Sequence, residues 1–223
     1  MAASEPSAAT AIRDAACVVL TDWRESRPHF LLGRRRATQV FMPNKWVFPG
    51  GRVDDEDRSY ASTIAEPLNY AAFAVAAIRE LYEEAGIALG HRSLKGDGPA
   101  GWAAFSEAGL TPSMARLKPL ARAITPPGRP RRFDTWFFLA DRADAAELTA
   151  EPDGELLDLG WFTLDDMRGL DLPGITRMIV DDVARHVAGP NDAAASALIP
   201  FYYQDIDLYR RDLIDPAKTV SAP

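Results

Sequence analysis

The sequence predicts an α/β fold in which a mixed β-sheet is flanked by helices. Short apolar runs and helical segments are intermixed without a regular strand–helix repeat, which favours a mixed sheet over a purely parallel one. The composition, with 47% hydrophobic and 26% charged residues among 223, is typical of a globular protein and favours one domain. We expect a flexible tail over 1–11, a domain over 12–190, and a C-terminal extension over 191–223 that packs on the domain.

The first half of the chain contains three strand candidates and the strongest helix candidate. The apolar run 15–21 is short enough for a buried strand, and 29–33 is its expected hairpin partner. A third strand at 46–48 ends at Pro49-Gly50-Gly51. Residues 53–67 are acidic and lack periodicity, which predicts a solvated loop. The alanine-rich segment 69–85 predicts a helix that stops at Gly86.

The second half predicts four strands and two helices. The strands are expected at 119–125, 133–140, 157–163 and 198–203. A short helix is expected at 102–108 and a longer one at 175–187. A charged tail without a predicted element follows residue 203. Phe201, Tyr202 and Tyr203 could stack on a base, but core or dimer packing is the preferred interpretation.

The charge and the composition argue against several classes of function. Twenty-five basic and 32 acidic residues give a net charge of −7, which argues against a protein that coats nucleic acid. No apolar run reaches the ~18–20 residues that span a bilayer, and no basic cluster indicates a signal peptide. We expect a cytoplasmic protein without nucleic-acid or membrane partners. Cys17 lies in an apolar run and is expected to be a buried, inert thiol.

Three glutamates in the predicted helix form the most informative pattern. Glu80, Glu83 and Glu84 stand at i, i+3 and i+4, so their carboxylates project from one helical face. Such closely spaced negative charges call for a hard divalent cation, Mg²⁺ or Mn²⁺. The upstream turn at Gly50 and Gly51 has no side chains and lets the backbone approach a metal and phosphates. The alternative is a solvated acidic face without a ligand.

The FPGG segment at 48–51 and the RELYEEAGI segment at 79–87 together resemble the signature of the Nudix hydrolases, G-x5-E-x7-R-E-U-x-E-E-x-G-U, where U is aliphatic. The second half of the signature matches throughout, and Gly51 matches its first glycine. The resemblance implies an α/β/α sandwich over roughly 12–190. It also implies hydrolysis of a nucleoside diphosphate linked to another moiety, with Mg²⁺ or Mn²⁺ as the cofactor.

The resemblance assigns roles to individual residues. Glu80, Glu83, Glu84 and the carbonyl of Gly50 would hold the metal, whose bound water attacks phosphorus while a nearby carboxylate takes the proton. Arg79 would orient the metal ligands by ion pairing. A Nudix-fold ligand sensor without catalysis is the alternative from another class, but such a module is expected to have lost a metal carboxylate.

The chain departs from the signature between Gly51 and Arg79. These residues are 28 positions apart, whereas the signature places them 14 apart, so an insertion of about 14 residues is expected around 53–67. The first glutamate of the signature falls on Ala71. Glu66 is the candidate that could substitute for it.

The segment LLGRRRATQVFMPNKWVFPGGRVD at 31–54 is similar to the expanded-loop Nudix branch that contains peroxisomal coenzyme A diphosphatases. Leu31, Leu32, Arg35 and the FPGG end at 48–51 agree with the coenzyme A signature, while Gly33, Arg36, Val40 and Asn44 differ from it. Coenzyme A or acyl-coenzyme A is therefore the leading substrate. ADP-ribose or another nucleoside diphosphate sugar remains open. The family also allows a homodimer.

Further candidates lie outside the signature. An additional catalytic acid is expected at Glu155, with Asp153 and Asp158 as competitors. The phosphates of the substrate would meet Gly51, Arg35, and Arg131 or Arg132, because arginine makes forked contacts to phosphate oxygens. For the basic triplet at 34–36, a solvated strand end is an equal alternative. The scattered histidines suggest no zinc site.

Overall fold

A computed structural model describes residues 10–63, 68–92, 102–146, 151–188, 198–205 and 208–218. Within these residues, nine strands form one sheet and two more form a small hairpin. The strands are β1 (Ile12–Arg24), β2 (Arg27–Arg35), β3 (Trp46–Val47), β4 (Gly50–Arg52), β5 (Gly90–Arg92), β6 (Leu110–Pro112), β7 (Lys118–Ile124), β8 (Arg132–Asp141), β9 (Leu156–Phe162), β10 (Ile199–Asp205) and β11 (Leu208–Ile214).

The large sheet is mixed, as predicted. Its order is β11-β10-β7-β8-β1-β2-β3, with β4 added on β1 and β9 added on β2. β1 runs parallel to β8 along ten residue pairs, and β10 runs parallel to β7. The other pairings in this sheet are antiparallel, including the β1–β2 hairpin and the β4 pairing with β1. The small hairpin joins β5 and β6.

Five helices accompany the sheet in the described residues. They are α1 (Asp55–Ala61), α2 (Ala71–Ala85), α3 (Ala103–Glu107), α4 (Leu164–Gly169) and α5 (Gly174–Ala188). One hydrophobic core lies between the sheet and α2, and a second lies between the sheet and α4 with α5. Helices thus bury apolar surface on both faces of the sheet, which confirms the predicted α/β sandwich.

α2 positions the acidic residues because its opposite face is packed tightly. Val75, Ile78 and Leu81 are fully buried in the core beside four small alanines, which let the helix approach the sheet closely. The helix ends at Gly86, whose φ of 68° is left-handed and whose N–H donates to the carbonyl of Tyr82. The predicted helix and its stop signal are confirmed.

The prediction of a solvated loop over 53–67 is wrong. Residues Asp55–Ala61 form α1, and the side chain of Asp57 in this helix is completely buried. Asp54 and Asp57 cap the first turn, since the N–H of Asp54 donates to Asp57 Oδ2 at 2.9 Å. Glu66 and the other residues of 64–67 lie outside the described residues.

The C-terminal part also differs from its prediction. The charged tail after residue 203 contains β11, which pairs along its whole length with β10. The preferred interpretation of Phe201 and Tyr202, core packing, is confirmed, because each is buried in one of the two cores. α4, β4 and the β5–β6 hairpin were not predicted either. In the described part of the chain, no helix is long and apolar enough to cross a membrane.

Candidate active site

The site begins where β4 brings two glycines against the last two turns of α2. A Cβ at Gly51 would meet the carboxylate of Glu80, so any side chain at this position would have to displace that carboxylate from the turn. The N–H of Gly50 donates to Glu84 Oε2 at 2.7 Å. The glycine turn and the helix therefore place two carboxylates directly on the backbone of β4.

Glu80 and Glu84 are both buried, with 8% and 1% of their surfaces exposed. Burial raises the pKa of Glu80 to about 7, even though the charge of Arg79 acts in the opposite direction. Burial and the neighbouring charge of Glu80 raise the pKa of Glu84 well above its ordinary value. Two adjacent buried carboxylates that resist ionisation form a hard oxygen donor set, to which a divalent cation would add the missing positive charge.

Arg79 lies between the acidic groups on the outer side of this pair. Its Nη1 donates to Glu80 Oε1 at 2.9 Å and to Glu83 Oε2 at 3.0 Å. Its Nη2 donates to the carbonyl of Arg52 and to Asp57 Oδ2, and its Nε donates to Asp57 Oδ1. Burial lowers the pKa of Arg79, but the bond to Asp57 and the charges of the surrounding acids outweigh it, so that its pKa is raised.

The three glutamates among the predicted metal ligands therefore occupy different environments. Glu80 and Glu84 lie at the glycine turn, whereas Glu83 is 42% exposed and rests on Arg79. Among the residues that the structure describes, no three acidic, imidazole or thiol groups converge closely enough to enclose an ion. Magnesium is commonly bound through one or two carboxylates together with waters and substrate phosphates, and the pair at the turn fits that pattern.

A cavity of about 380 Å³ opens beside the turn. Its polar end is lined by Gly50, Gly51, Arg52, Asp54, Glu80 and Glu155. Its other walls include Phe41, Phe133, Phe137 and Ile175, and the rings of Phe41 and Phe133 meet edge to face with centroids 5.1 Å apart. The cavity thus joins an acidic end to an aromatic wall, as a ligand with a charged part and a flat apolar part requires.

The predicted phosphate-binding arginines divide into two groups. Arg35 and Arg131 line the cavity, and Arg35 is fixed by a bond from its Nε to the carbonyl of Phe41 at 3.0 Å. Arg132 is not part of the cavity lining, because its Nε donates to the carbonyl of Thr125 in the β7–β8 turn. Of the basic triplet, Arg34 pairs with Asp158 and Arg36 with the carbonyl of Gly154.

Glu155 lines the cavity, while its two competitors do not. Its charge also raises the pKa values of Glu80 and Glu84, so it faces the same acidic end. Asp153 instead accepts from the N–H of Glu155 at 2.8 Å, and its own N–H donates to the carbonyl of Glu83. The loop before β9 is therefore joined to α2 and presents Glu155 to the cavity.

Sequence reasoning missed Asp57, Phe41 and Phe133 as residues around the site. The spacing of Asp54 and Asp57 was a usable signal, because it matches a helix-capping pair. No local pattern indicated that the two phenylalanines meet, since they lie 92 positions apart. Cys17, which was expected to be buried, is only partly buried and lines the cavity. Desolvation and the charges of Glu84 and Glu80 raise the pKa of its thiol to about 12, which opposes formation of a reactive thiolate.

Comparisons with known proteins bear on the family and the fold of the chain. The model of the NUDIX domain matches residues 11–101. A NUDIX hydrolase from Alicyclobacillus acidocaldarius is 30% identical; the alignment covers 85% of this chain and 97% of that one, with a TM-score of 0.65. The MutT protein from Methanosarcina mazei Go1 shares the fold, with a TM-score of 0.52. It is 15% identical, and the alignment covers 82% of this chain and 100% of that one.

A curated relative gives a similar result. "Putative nudix hydrolase 7" of Caenorhabditis elegans is 33% identical in an alignment of length 164 that covers 67% of this chain. This chain spans about half the length of that relative, since the match covers 51% of it. The extensive match to the Alicyclobacillus enzyme, joined to the glutamates of α2 and the glycine turn, shows that the chain belongs to the Nudix hydrolase family.

Proposed function

We propose that the protein hydrolyses a diphosphate linkage in a nucleoside diphosphate derivative, in a reaction that depends on Mg²⁺ or Mn²⁺. The observation that carries the proposal is the pair of buried carboxylates, Glu80 and Glu84, held on the Gly50–Gly51 backbone, with Glu80 lining the cavity. Arg79 contacts Glu80 but not Glu84 in this pair, and a buried acidic pair of this kind is poorly suited to bind a phosphate anion alone. It is well suited to bind a cation that then binds the phosphates.

Glu80, Glu84 and the carbonyl of Gly50 would hold the metal, with Glu83 joining them from the edge of the same helical face. When bound, the cation neutralises charge on the diphosphate and lowers the pKa of a coordinated water. Arg79 keeps Glu80 and Glu83 in place through its two bonds from Nη1.

The cavity residues would bind the substrate and handle the proton. Arg35 and Arg131 approach the phosphates from the walls, where guanidinium groups can make paired contacts to their oxygens. Glu155 accepts the proton of the attacking water at the acidic end. The aromatic wall at Phe41 and Phe133 offers a flat surface to the nucleobase.

Coenzyme A or acyl-coenzyme A is the substrate that we propose first, because the segment 31–54 is similar to the coenzyme A diphosphatase branch. ADP-ribose or another nucleoside diphosphate sugar is the alternative, since only part of that signature is present. A non-catalytic ligand sensor is disfavoured because the three expected metal carboxylates, Glu80, Glu83 and Glu84, are all present. A cytoplasmic location, a homodimer, and the absence of nucleic-acid and membrane partners remain predictions from the sequence.

A hydrolysis panel tests the proposal. The protein would be incubated with coenzyme A, acetyl-coenzyme A, ADP-ribose, NADH, diadenosine polyphosphates and nucleoside triphosphates, each with Mg²⁺, with Mn²⁺ and with EDTA. We expect metal-dependent cleavage of at least one diphosphate, with coenzyme A derivatives giving the highest kcat/KM. Binding of a panel member without any turnover would favour the sensor, and a preference for ADP-ribose would replace coenzyme A.

A further inference from the structure

The insertion places a carboxylate in the interior, next to the site. The side chain of Asp57 is 0% exposed, and both of its oxygens accept from Arg79, at 3.0 Å from Nε and 2.9 Å from Nη2. This forked geometry is the strongest arrangement that an arginine and a carboxylate can form. Because a buried charge without its partner is unfavourable, Asp57 and Arg79 depend on one another.

Every N–H of the Arg79 guanidinium group has an acceptor. It has five N–H donors, and the structure gives it five acceptor contacts: two on Asp57 and one each on Glu80, Glu83 and the carbonyl of Arg52. The Asp57 contacts orient the Nε edge of the group, and this orientation directs Nη1 to Glu80 and Glu83. The direction of both glutamates therefore depends on the contacts made at the other end of the guanidinium group.

The partner of Arg79 is supplied by α1 of the insertion rather than by α2. Ala71 occupies the signature position of the first glutamate; it is buried and has no carboxylate. α1 is attached to the domain by an ion pair from Arg58 to Asp14 and by the ring of Tyr60 beside Trp102. The insertion thus forms a packed helix, and this helix places the carboxylate of Asp57 against Arg79.

We propose that Asp57 is a positioning residue of the active site: it fixes Arg79 and, through Arg79, the carboxylates of Glu80 and Glu83 for binding the divalent cation. This inference rests on the proposed function, because it concerns the same metal-binding residues. A residue that only stabilises α1 would affect folding alone. A positioning residue affects metal affinity and kcat in a protein that is still folded.

Three substitutions and a control separate these roles. Asp57→Asn keeps the volume but removes the charge. Asp57→Ser can still accept from the N–H of Asp54 and cap α1, but it cannot bind Arg79 in a fork. Asp57→Glu keeps a carboxylate, and glutamate is the residue that a capping box prefers at the third position of a helix. Glu56→Gln is the matched control, because Glu56 is an exposed acid on the same helix.

Each variant would be measured in three ways. Calorimetric titration with Mn²⁺ alone gives the Kd, steady-state kinetics on the best substrate of the panel separates kcat from KM, and ¹⁵N NMR follows the exchange of the Arg79 Nε–H with solvent. We expect the Asn and Ser variants to weaken Mn²⁺ binding by ~10-fold or more and to lower kcat similarly, with KM little changed. We expect faster exchange of the Nε–H, partial recovery in Asp57→Glu and wild-type behaviour in Glu56→Gln.

Wild-type Mn²⁺ affinity, kcat and Nε–H exchange in folded Asp57→Asn or Asp57→Ser would overturn the positioning role. Equal losses in Glu56→Gln would also overturn it, because the effect would then belong to the general charge of α1. If the wild type hydrolyses nothing in the panel, the proposed function fails, while the Mn²⁺ titrations and the NMR exchange still decide the role of Asp57.

Discussion

Three glutamates on one turn and a half of helix have three different environments. Glu84 is buried and accepts a hydrogen bond from a backbone N–H. Glu80 is buried and forms an ion pair with Arg79. Glu83 is half-exposed and contacts Arg79 from the outer side. Their spacing places them on one face, but burial by β4 and pairing with Arg79 distinguish them. Chemically identical side chains can acquire different roles in this way.

Replacing these carboxylates by amides should impair the reaction without unfolding the protein. Glu84→Gln and Glu83→Gln each keep the side-chain volume but remove a charged ligand, so we expect kcat to fall by ~10²-fold or more, about 2.7 kcal/mol of transition-state stabilisation. Glu107→Gln, an exposed substitution on α3, is the control. Wild-type rates with saturating Mg²⁺ in both variants would mean that the metal is held elsewhere.

At the scale of elements, α2 needs a defined end because its last turn contains Glu83 and Glu84. Gly86 ends the helix with φ at 68°, which an alanine adopts only with strain. We expect Gly86→Ala to lower the free energy of unfolding by about 1 kcal/mol or more in urea denaturation. Gly174→Ala, at the start of α5, meets no atom within 4 Å and should be neutral or slightly stabilising.

Equal effects of the two substitutions would show that the left-handed conformation at Gly86 does not matter for stability. The comparison is well matched, because each change adds one methyl group at a helix end and the two sites differ in backbone conformation.

Elements with a local pattern could be predicted, and elements that depend on distant contacts could not. β1 could be predicted from a run of consecutive apolar residues, and α2 could be predicted from a helical periodicity within one segment. α1 has no long apolar run of that kind; apart from Tyr60, Ala61 and the pair of Arg58 with Asp14, it is held through Asp57 and Arg79, 22 positions apart. β11 is an exposed edge strand, and six of its seven residues are exposed, so no alternation marks it.

The same contrast, between local sequence patterns and contacts of distant residues, holds for the candidate site. Glu80, Glu84 and the glycines could be found because they lie in two short segments with fixed spacing. The aromatic wall and the choice of Arg131 over Arg132 depend on how β8 and the loop after β2 meet. Such choices are made by tertiary packing, and a one-residue difference along a strand reverses the direction of a side chain.

At the scale of the whole molecule, the acidic end of the site should make stability depend on pH. The pKa of Glu80 is raised to about 7 in the folded protein, mainly by burial, from an ordinary value of 4.5. Between these values the folded state holds a proton that the unfolded state has lost. The free energy of unfolding must therefore fall as the pH rises from about 4.5 to about 7.

We expect metal-free protein in EDTA to lose up to about 3 kcal/mol of stability across this pH window, because binding one proton changes the free energy of unfolding by at most about 1.36 kcal/mol per pH unit. Glu80→Gln should flatten the dependence, because it removes the titrating group and the charge that raises the pKa of Glu84. Excess Mn²⁺ should flatten it too, because a bound cation favours the ionised carboxylates that burial disfavours. Denaturation in urea at closely spaced pH values measures all three cases. An unchanged slope in Glu80→Gln would place the titration elsewhere, and an unchanged slope with Mn²⁺ would mean that the acidic pair does not bind the cation.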